Sequence, residues 1–266
     1  MNKYFGFFSE LRKLYDGKIK ECGLYDDIFS NVYNALAGNN EIKELYAENG
    51  FYVGKNILEI AAGDGSNYMI PLAQKGFNVD GVEISESMIA RFNENVSKLP
   101  QRIKKRLNII QADVFEYETD KKYDLITIPS TTICLLSDDE DRLKSLFEKI
   151  YSWLNPNGRL MFDYRTDQVT ETVYASNILT NINLDEKYYF VFQEFNNFIP
   201  DKAVVNMYVE TADGSKYLAS SEKKIITDDF IESVIGQTSF KMHHAYDVNE
   251  DEITMKVCVY KKEEAA

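Results

Sequence analysis

The residues with the most chemical content stand in Asn56-Ile-Leu-Glu-Ile-Ala-Ala-Gly-Asp-Gly-Ser66, an apolar run that ends in a small-residue turn just before a helical pattern. It reads as the first strand of an α/β sheet feeding a ligand turn. Glycines at 63 and 65 let the backbone bend sharply and let a ligand approach within contact distance, which a Cβ would obstruct. Twenty residues beyond Gly63 a second apolar strand, Asn78-Val-Asp-Gly-Val-Glu83, finishes on a carboxylate. That spacing sets Glu83 beside the turn, where it can accept hydrogen bonds from a ribose diol. A nicotinamide-dependent oxidoreductase would use the same turn and the same acid. It would also want a third glycine, which is absent at the expected place.

The elements that must position these groups follow from periodicity. Residues 1–50 carry Phe8, Leu11, Leu14 and Tyr15, then Ile28, Val32 and Leu36, at helical spacing, and read as an N-terminal helical lid. From 56 the chain alternates: strand 56–60, helix 67–75 closed by Gly76, strand 78–83, helix 86–98 capped by Ser85, strand 107–111. Such alternation predicts a parallel sheet. Tyr123-Asp-Leu-Ile-Thr-Ile-Pro129 is the fourth strand, Ser137-Asp-Asp-Glu140 reads as a capping box, and Asn155-Pro-Asn-Gly158 turns the next helix into strand 159–164. Pro71 is tolerable only in the first turn of its helix. After 170 long alternating runs at 187–195, 203–210 and 216–223 predict antiparallel strands, with Asp213-Gly214 as a hairpin turn. A helix near 228–236 and strands near 240–246 and 253–261 close the chain, and its tail frays.

Composition narrows the partners. At 266 residues, 44% hydrophobic and 27% charged, the chain suits one α/β domain with an elaboration, and no apolar run is long enough to cross a bilayer. No secretory segment develops after the first residues, so the expected compartment is the cytoplasm. Three cysteines, 22, 134 and 258, lack metal spacing and read as reduced, structural thiols; no metal is expected. A formal net charge of −13 argues against nucleic acid and suits a cationic amine, although a solubilising surface explains it as well.

Five ordered motifs, Leu58-Glu-Ile-Ala-Ala-Gly-Asp-Gly-Ser66, Val79-Asp-Gly-Val-Glu-Ile-Ser85, Gln111-Ala-Asp-Val-Phe115, Tyr123-Asp-Leu-Ile-Thr-Ile128 and Leu154-Asn-Pro-Asn-Gly-Arg-Leu160, resemble those of class I S-adenosylmethionine-dependent methyltransferases. The resemblance implies a Rossmann-like, seven-stranded sheet with a reversed final hairpin, here carrying the N-terminal helical lid (1–50) and, within the methyltransferase domain (51–266), an antiparallel strand insertion at 186–224 that roofs the active site. It implies S-adenosyl-L-methionine as cofactor. Glu59, Ala61, Gly63, Asp64 and Gly65 would lie against the methionine moiety, and Glu83 would hold the ribose. Ile84 and Met88 would contact adenine, Asp113 would accept from its exocyclic amine, and the Val114 backbone would read the ring edge. Ala61 departs from the glycine that many members carry.

Pro129, Ser130 and Thr131 would line the space where methyl meets acceptor. Thr131, Tyr33 and His244 are the candidates for contact with the reacting atoms; Tyr25, Ser130, Asp163 and Arg165 are candidates for binding the substrate. Each has a plainer reading: Tyr25 and Tyr33 as core aromatics, Asp113 as a helix cap, Arg165 paired with a neighbouring acid. His243 and His244 are adjacent on a strand, so only one can reach a cleft. The expected reaction is N-methylation of an amine in a small metabolite or peptide natural product, with a homodimer left open. The alternatives are an O-methyltransferase and, from other classes, an NAD(P)-dependent oxidoreductase or a non-catalytic cofactor-binding subunit.

Overall fold

In chain order the computed structural model contains α1 (Gly6–Leu14), β1 (Ile19–Cys22), α2 (Asp27–Val32), α3 (Asn40–Val53), β2 (Asn56–Ile60), α4 (Met69–Gln74), β3 (Asn78–Glu83), α5 (Glu86–Ser97), α6 (Gln101–Lys104), β4 (Leu107–Gln111), β5 (Tyr123–Ile128), α7 (Ile133–Leu136) and α8 (Glu140–Trp153). There follow β6 (Leu154–Arg165), β7 (Val173–Ser176), β8 (Tyr189–Ile199), β9 (Lys202–Glu210), β10 (Lys216–Lys224), α9 (Asp228–Ile235), β11 (Lys241–Glu250) and β12 (Ile253–Lys261). The structure describes residues 3–32, 40–169, 173–176, 188–250 and 253–262. Among these, no helix is long and apolar enough to cross a membrane.

Contacts divide the chain into two units, one of residues 1–37 and 168–225, the other of residues 38–167 and 226–266. The sequence reading drew its boundary at 50; the contacts draw it at 37, leaving α3 with the larger unit.

The larger unit is built on a seven-stranded sheet ordered β11-β12-β6-β5-β2-β3-β4. The strands from β6 to β4 pair in parallel, while β12 runs antiparallel to both β6 and β11, the reversed hairpin that the sequence reading expects. A parallel sheet covered on both faces needs apolar residues on both, which is why β2 and β5 read as nearly continuous apolar runs. Leu58, Ile60, Ile126 and Ile128 pack in one buried cluster with Leu143, Phe147 and Ile150 of α8. Ile57, Val79 and Leu125 pack in another with Tyr46 of α3 and Met69 of α4. Pro71 falls in the first turn of α4, where its missing N–H costs no helical bond. Ser85 caps α5 as expected, accepting from the Met88 N–H at 3.2 Å. The expected Ser137 cap is displaced: Asp139 caps α8 by accepting from the Arg142 N–H, while the Ser137 hydroxyl donates to the Ile133 carbonyl.

The smaller unit holds a five-stranded sheet ordered β1-β10-β9-β8-β7, antiparallel except for the β1–β10 pair. Its strict alternation splits the side chains between two clusters. Phe190, Val205, Met207 and Val209 pack with Ile28 and Phe29 of α2; Val191, Phe195, Tyr208 and Leu218 pack with Phe8 of α1. Asn206, fully buried, fastens the N-terminal segment by accepting from the Phe5 N–H and donating to the Lys3 carbonyl. β1 is a strand inside a stretch whose periodicity reads as helix; four residues are too few for a period to register.

Candidate active site

The turn after β2 is built on three left-handed residues, Ala61 (φ 54°), Gly63 (φ 58°) and Gly65 (φ 72°). At Gly65 both conformation and space demand glycine, since a Cβ there would stand 2.6 Å from the Phe92 ring. At Gly63 the space a Cβ would occupy is open, with no protein atom within 4 Å. Only conformation and whatever lies over the turn therefore select glycine at 63. Ala61 carries the strain of a left-handed Cβ, the physical reason for a glycine preference at its position. Asp64, almost fully buried, braces the turn by accepting from the Ser66 N–H (3.0 Å) and hydroxyl (2.6 Å), with Arg91 3.7 Å away.

Glu83 ends β3 and is tied to that turn directly. One carboxylate oxygen accepts from the Gly63 N–H at 2.8 Å, the other from the Ile84 and Ser85 N–H groups at 2.9 and 2.8 Å. Glu59 lies one strand away, 2% exposed, with its Oε2 lacking any partner among the described residues. Burial, then the negative charges of Glu83 and Asp64, hold its carboxyl well above the usual carboxylate range. The site thus carries a buried carboxyl with one unpartnered oxygen beside an open glycine turn.

Beyond β3, Ile84 is 66% exposed, a large apolar side chain left uncovered at the carboxyl edge of the sheet, whereas Met88 and Val114 are buried. Asp113 does cap its own turn, accepting from the Phe115 N–H at 2.9 Å, and its second oxygen lies 3.4 Å from the Arg142 guanidinium, which stacks 3.7 Å from the centre of the Phe115 ring.

The loop after β5 follows a buried Pro129 and holds two consecutive non-glycine residues in the left-handed region, Ser130 (φ 60°) and Thr131 (φ 56°). Asp163 of β6 stabilises both. Its carboxylate accepts from the Ser130 N–H at 3.0 Å, the Thr131 N–H at 2.7 Å and the Tyr46 hydroxyl at 2.8 Å, and it is fully buried. Asp163 therefore does not stand open to a substrate ammonium, because both oxygens are engaged inside the protein. Arg165, 8% exposed, takes the plainer of its two readings and pairs with Asp167.

The two histidines are not brought here. His243 and His244 are exposed on β11, the outer strand of the sheet, where a bulge separates Met242 from His244. Strands in a sheet lie about 4.8 Å apart, so with β12 and β6 intervening, His244 stands about 14 Å or more from β5. Its ring packs on Tyr246 instead, with centroids 4.3 Å apart. Tyr25 packs against the α2 cluster of the smaller unit, and Tyr33 lies outside the described residues. Tyr46 escaped the sequence reading altogether. The available signal for its partner was Asp163 itself, a carboxylate inside the apolar run Leu-Met-Phe-Asp-Tyr, which must find donors when buried.

A family model described as a methyltransferase domain matches residues 57–158. The putative methyltransferase YqeM of Bacillus subtilis (strain 168) is 24% identical over 221 residues, 81% of this chain and 86% of the relative. A putative methyltransferase of Geobacillus sp. (strain WCH70) is 28% identical over 127 residues, and this chain spans about half of its length, 49%. Among solved structures, the CcbJ methyltransferase from Streptomyces caelestis shares the fold with a TM-score of 0.73 at 16% identity, covering 91% of this chain and 99% of that one. The glycopeptide N-methyltransferase MtfA complexed with S-adenosyl-L-methionine does so at 0.62 and 16%, covering 96% and 97%. Residues 57–158 thus match a methyltransferase domain, and the chain has the Rossmann-like fold of S-adenosylmethionine-dependent methyltransferases. The residues present fit S-adenosylmethionine, which MtfA binds: a buried carboxyl with one unpartnered oxygen for an ammonium, an open turn for close approach, and an exposed Ile84 for an aromatic base.

Proposed function

We propose that the protein transfers a methyl group from S-adenosylmethionine to an amine nitrogen of a small metabolite or peptide natural product, in the cytoplasm. The observation that carries this reading is the state of the titratable groups at the carboxyl edge of the larger unit's sheet. Glu83 is held by three backbone N–H groups, Asp64 by Ser66, Asp163 by Tyr46 and two N–H groups, and Asp167 by Arg165, while Glu59 is fully enclosed in the protein, which raises its pKa. None of these five described groups is placed to take a proton from an alcohol or phenol. A neutral amine needs no such base, since its proton leaves to water once the new bond has formed. The net charge of −13 attracts an amine in its protonated form, which releases a proton to water before its lone pair attacks, and disfavours nucleic acid.

When bound, the cofactor supplies an electrophilic methyl on a sulfonium. Glu83 would hold the ribose, Glu59 the ammonium side, and Ile84 and Asp113 the adenine. Ser130 and Thr131 border the acceptor and align it in line with the methyl, which is the main work in such a displacement. The likeness to a glycopeptide N-methyltransferase and to an amino pentose methyltransferase supports an amine. The O-methyltransferase reading draws on a malonyl-[acyl-carrier protein] O-methyltransferase from Ilyobacter polytropus, 32% identical over 109 residues.

Methyl release from labelled cofactor, measured across matched amines, phenols and alcohols, decides between them. Turnover of amines with the double substitution His243→Ala, His244→Ala as active as wild type is the expected result. Turnover confined to phenols or alcohols, or abolished by the histidine substitutions, sinks the amine assignment.

A further inference from the structure

The loop that follows β5 is held in an unfavourable conformation by a group far away in sequence. Ser130 and Thr131 both sit at positive φ, and Thr131 is β-branched, for which that region is a genuine outlier. Such backbone persists only where the surroundings over-determine it. Here the surroundings are one carboxylate and one phenol. Asp163 lies on β6 between β5 and β12, locked in register opposite Val257, so it cannot follow the loop if the loop relaxes. Its two oxygens receive the Ser130 and Thr131 N–H groups separately, and Tyr46, fully buried on α3, donates to the oxygen that also takes the Ser130 N–H.

Successive N–H groups converging on an anion form a concave backbone nest; this nest is filled by the protein's own carboxylate. The chain has no cis peptide among its described residues, so each carbonyl points opposite to the N–H of its own peptide plane. With the Ser130 and Thr131 N–H groups turned in to Asp163, the Pro129 and Ser130 carbonyls are turned away from it. The Pro129 carbonyl then accepts from the Thr132 N–H at 3.2 Å, which starts the turn leading into α7. One buried anion therefore orients two peptide planes and sets the direction of the Ser130 side chain between them.

We propose that Asp163, backed by Tyr46, is a positioning residue for methyl transfer: it holds the Ser130–Thr131 backbone left-handed so that these two residues present one fixed face to the acceptor. The inference rests on the reading above, in which Ser130 and Thr131 border the acceptor. Asp163 touches neither substrate nor cofactor in this role. It differs from a general structural residue in that its loss should disturb acceptor alignment and leave cofactor binding alone.

The test uses the full chain with Asp163→Asn and Tyr46→Phe. Asparagine keeps the shape but replaces one acceptor oxygen by an amide NH2 donor that opposes an N–H. Three readouts are taken: amide hydrogen exchange over 129–136, S-adenosylhomocysteine affinity, and kcat with the amine that wild type methylates fastest. For Asp163→Asn the expected result is amide exchange at 130–134 faster by about tenfold and kcat lower by about tenfold or more, the scale of one charge-assisted hydrogen bond. S-Adenosylhomocysteine affinity should stay within about twofold, because the ribose and turn contacts are untouched. Tyr46→Phe leaves both N–H bonds in place, and should give smaller changes of about two- to fivefold in the same direction. It also serves if the asparagine variant fails to fold.

Unchanged exchange at 130–134 in the folded variants overturns the proposal. So does a fall in cofactor affinity that matches the fall in kcat, which marks a merely structural role. Should wild type methylate no amine, the functional reading fails while the exchange measurement still decides whether Asp163 holds the loop.

Discussion

Glu59 keeps its proton above the ordinary carboxylate range because burial strips water from the charged form and Glu83 and Asp64 add negative charge beside it. The folded state therefore binds this proton more tightly than the unfolded chain does. Stability from this group is complete below the ordinary value of 4.5 and declines as pH rises through the raised one. Without cofactor, Glu59→Gln should flatten that decline in melting temperature measured from pH 4.5 upward; an unaltered pH profile would show Glu59 already ionised. Glu83 is a different kind of acid, accepting from three backbone donors and keeping lone-pair capacity for a further one. Replacing it with alanine removes the proposed ribose acceptor and unties Gly63. Cofactor affinity by titration calorimetry should fall by about 1.5–3 kcal/mol, the scale of charge-assisted hydrogen bonds. An affinity equal to wild type would contradict its assignment to the ribose.

At the scale of elements, the closeness of α4 to β3 depends on a residue the motifs include but do not explain. Gly81 pairs opposite Glu59, and a Cβ at that point would stand 2.6 Å from the Met69 Sδ and 2.7 Å from the Ala62 Cβ. Gly81→Ala should therefore destabilise by about 1–3 kcal/mol through overpacking, read as a lower denaturation midpoint; an unchanged midpoint would mean that α4 moves freely off the sheet. Helix ends and strands that rest on local rules were legible in the sequence: the Ser85 cap, the first-turn Pro71, and the β2 and β3 runs. Local rules failed where two candidates competed or where the signal was short. Asp139 outcompeted Ser137 as the α8 cap, because an Asp nearer the first turn reaches the Arg142 N–H while Ser137 already serves the preceding turn. β1 is four residues whose pairing with β10 is supplied from nearly two hundred residues away.

For the whole molecule, the excess of acid acts as a long-range field. A protonated amine approaching a chain of net charge −13 is attracted, and salt screens that attraction over about 8–10 Å at physiological strength. The kcat/KM for a cationic amine acceptor should fall as ionic strength rises, while cofactor binding held at saturation leaves kcat steady. A kcat/KM insensitive to salt would assign the acidic surface to solubility alone. The amino-acid sequence by itself determined the class of sheet, the sharp turn with Gly63 and Gly65, and the approach of Glu83 to it, because each depends on residue types a few positions apart or on the regular strand-to-strand step of a parallel sheet. Only the tertiary structure decided what the remaining acids and bases do. Asp163 reads in sequence as a substrate ligand, and becomes the anchor of a strained loop because Tyr46 and Ser130, 117 and 33 residues away, arrive at it through α3 and β5. His244 reads as a candidate base, and the sheet order carries it to the outer edge. A side chain's chemistry is local, but whether a buried carboxylate meets donors or a substrate depends on which elements the fold makes neighbours, and no periodicity along the chain records that.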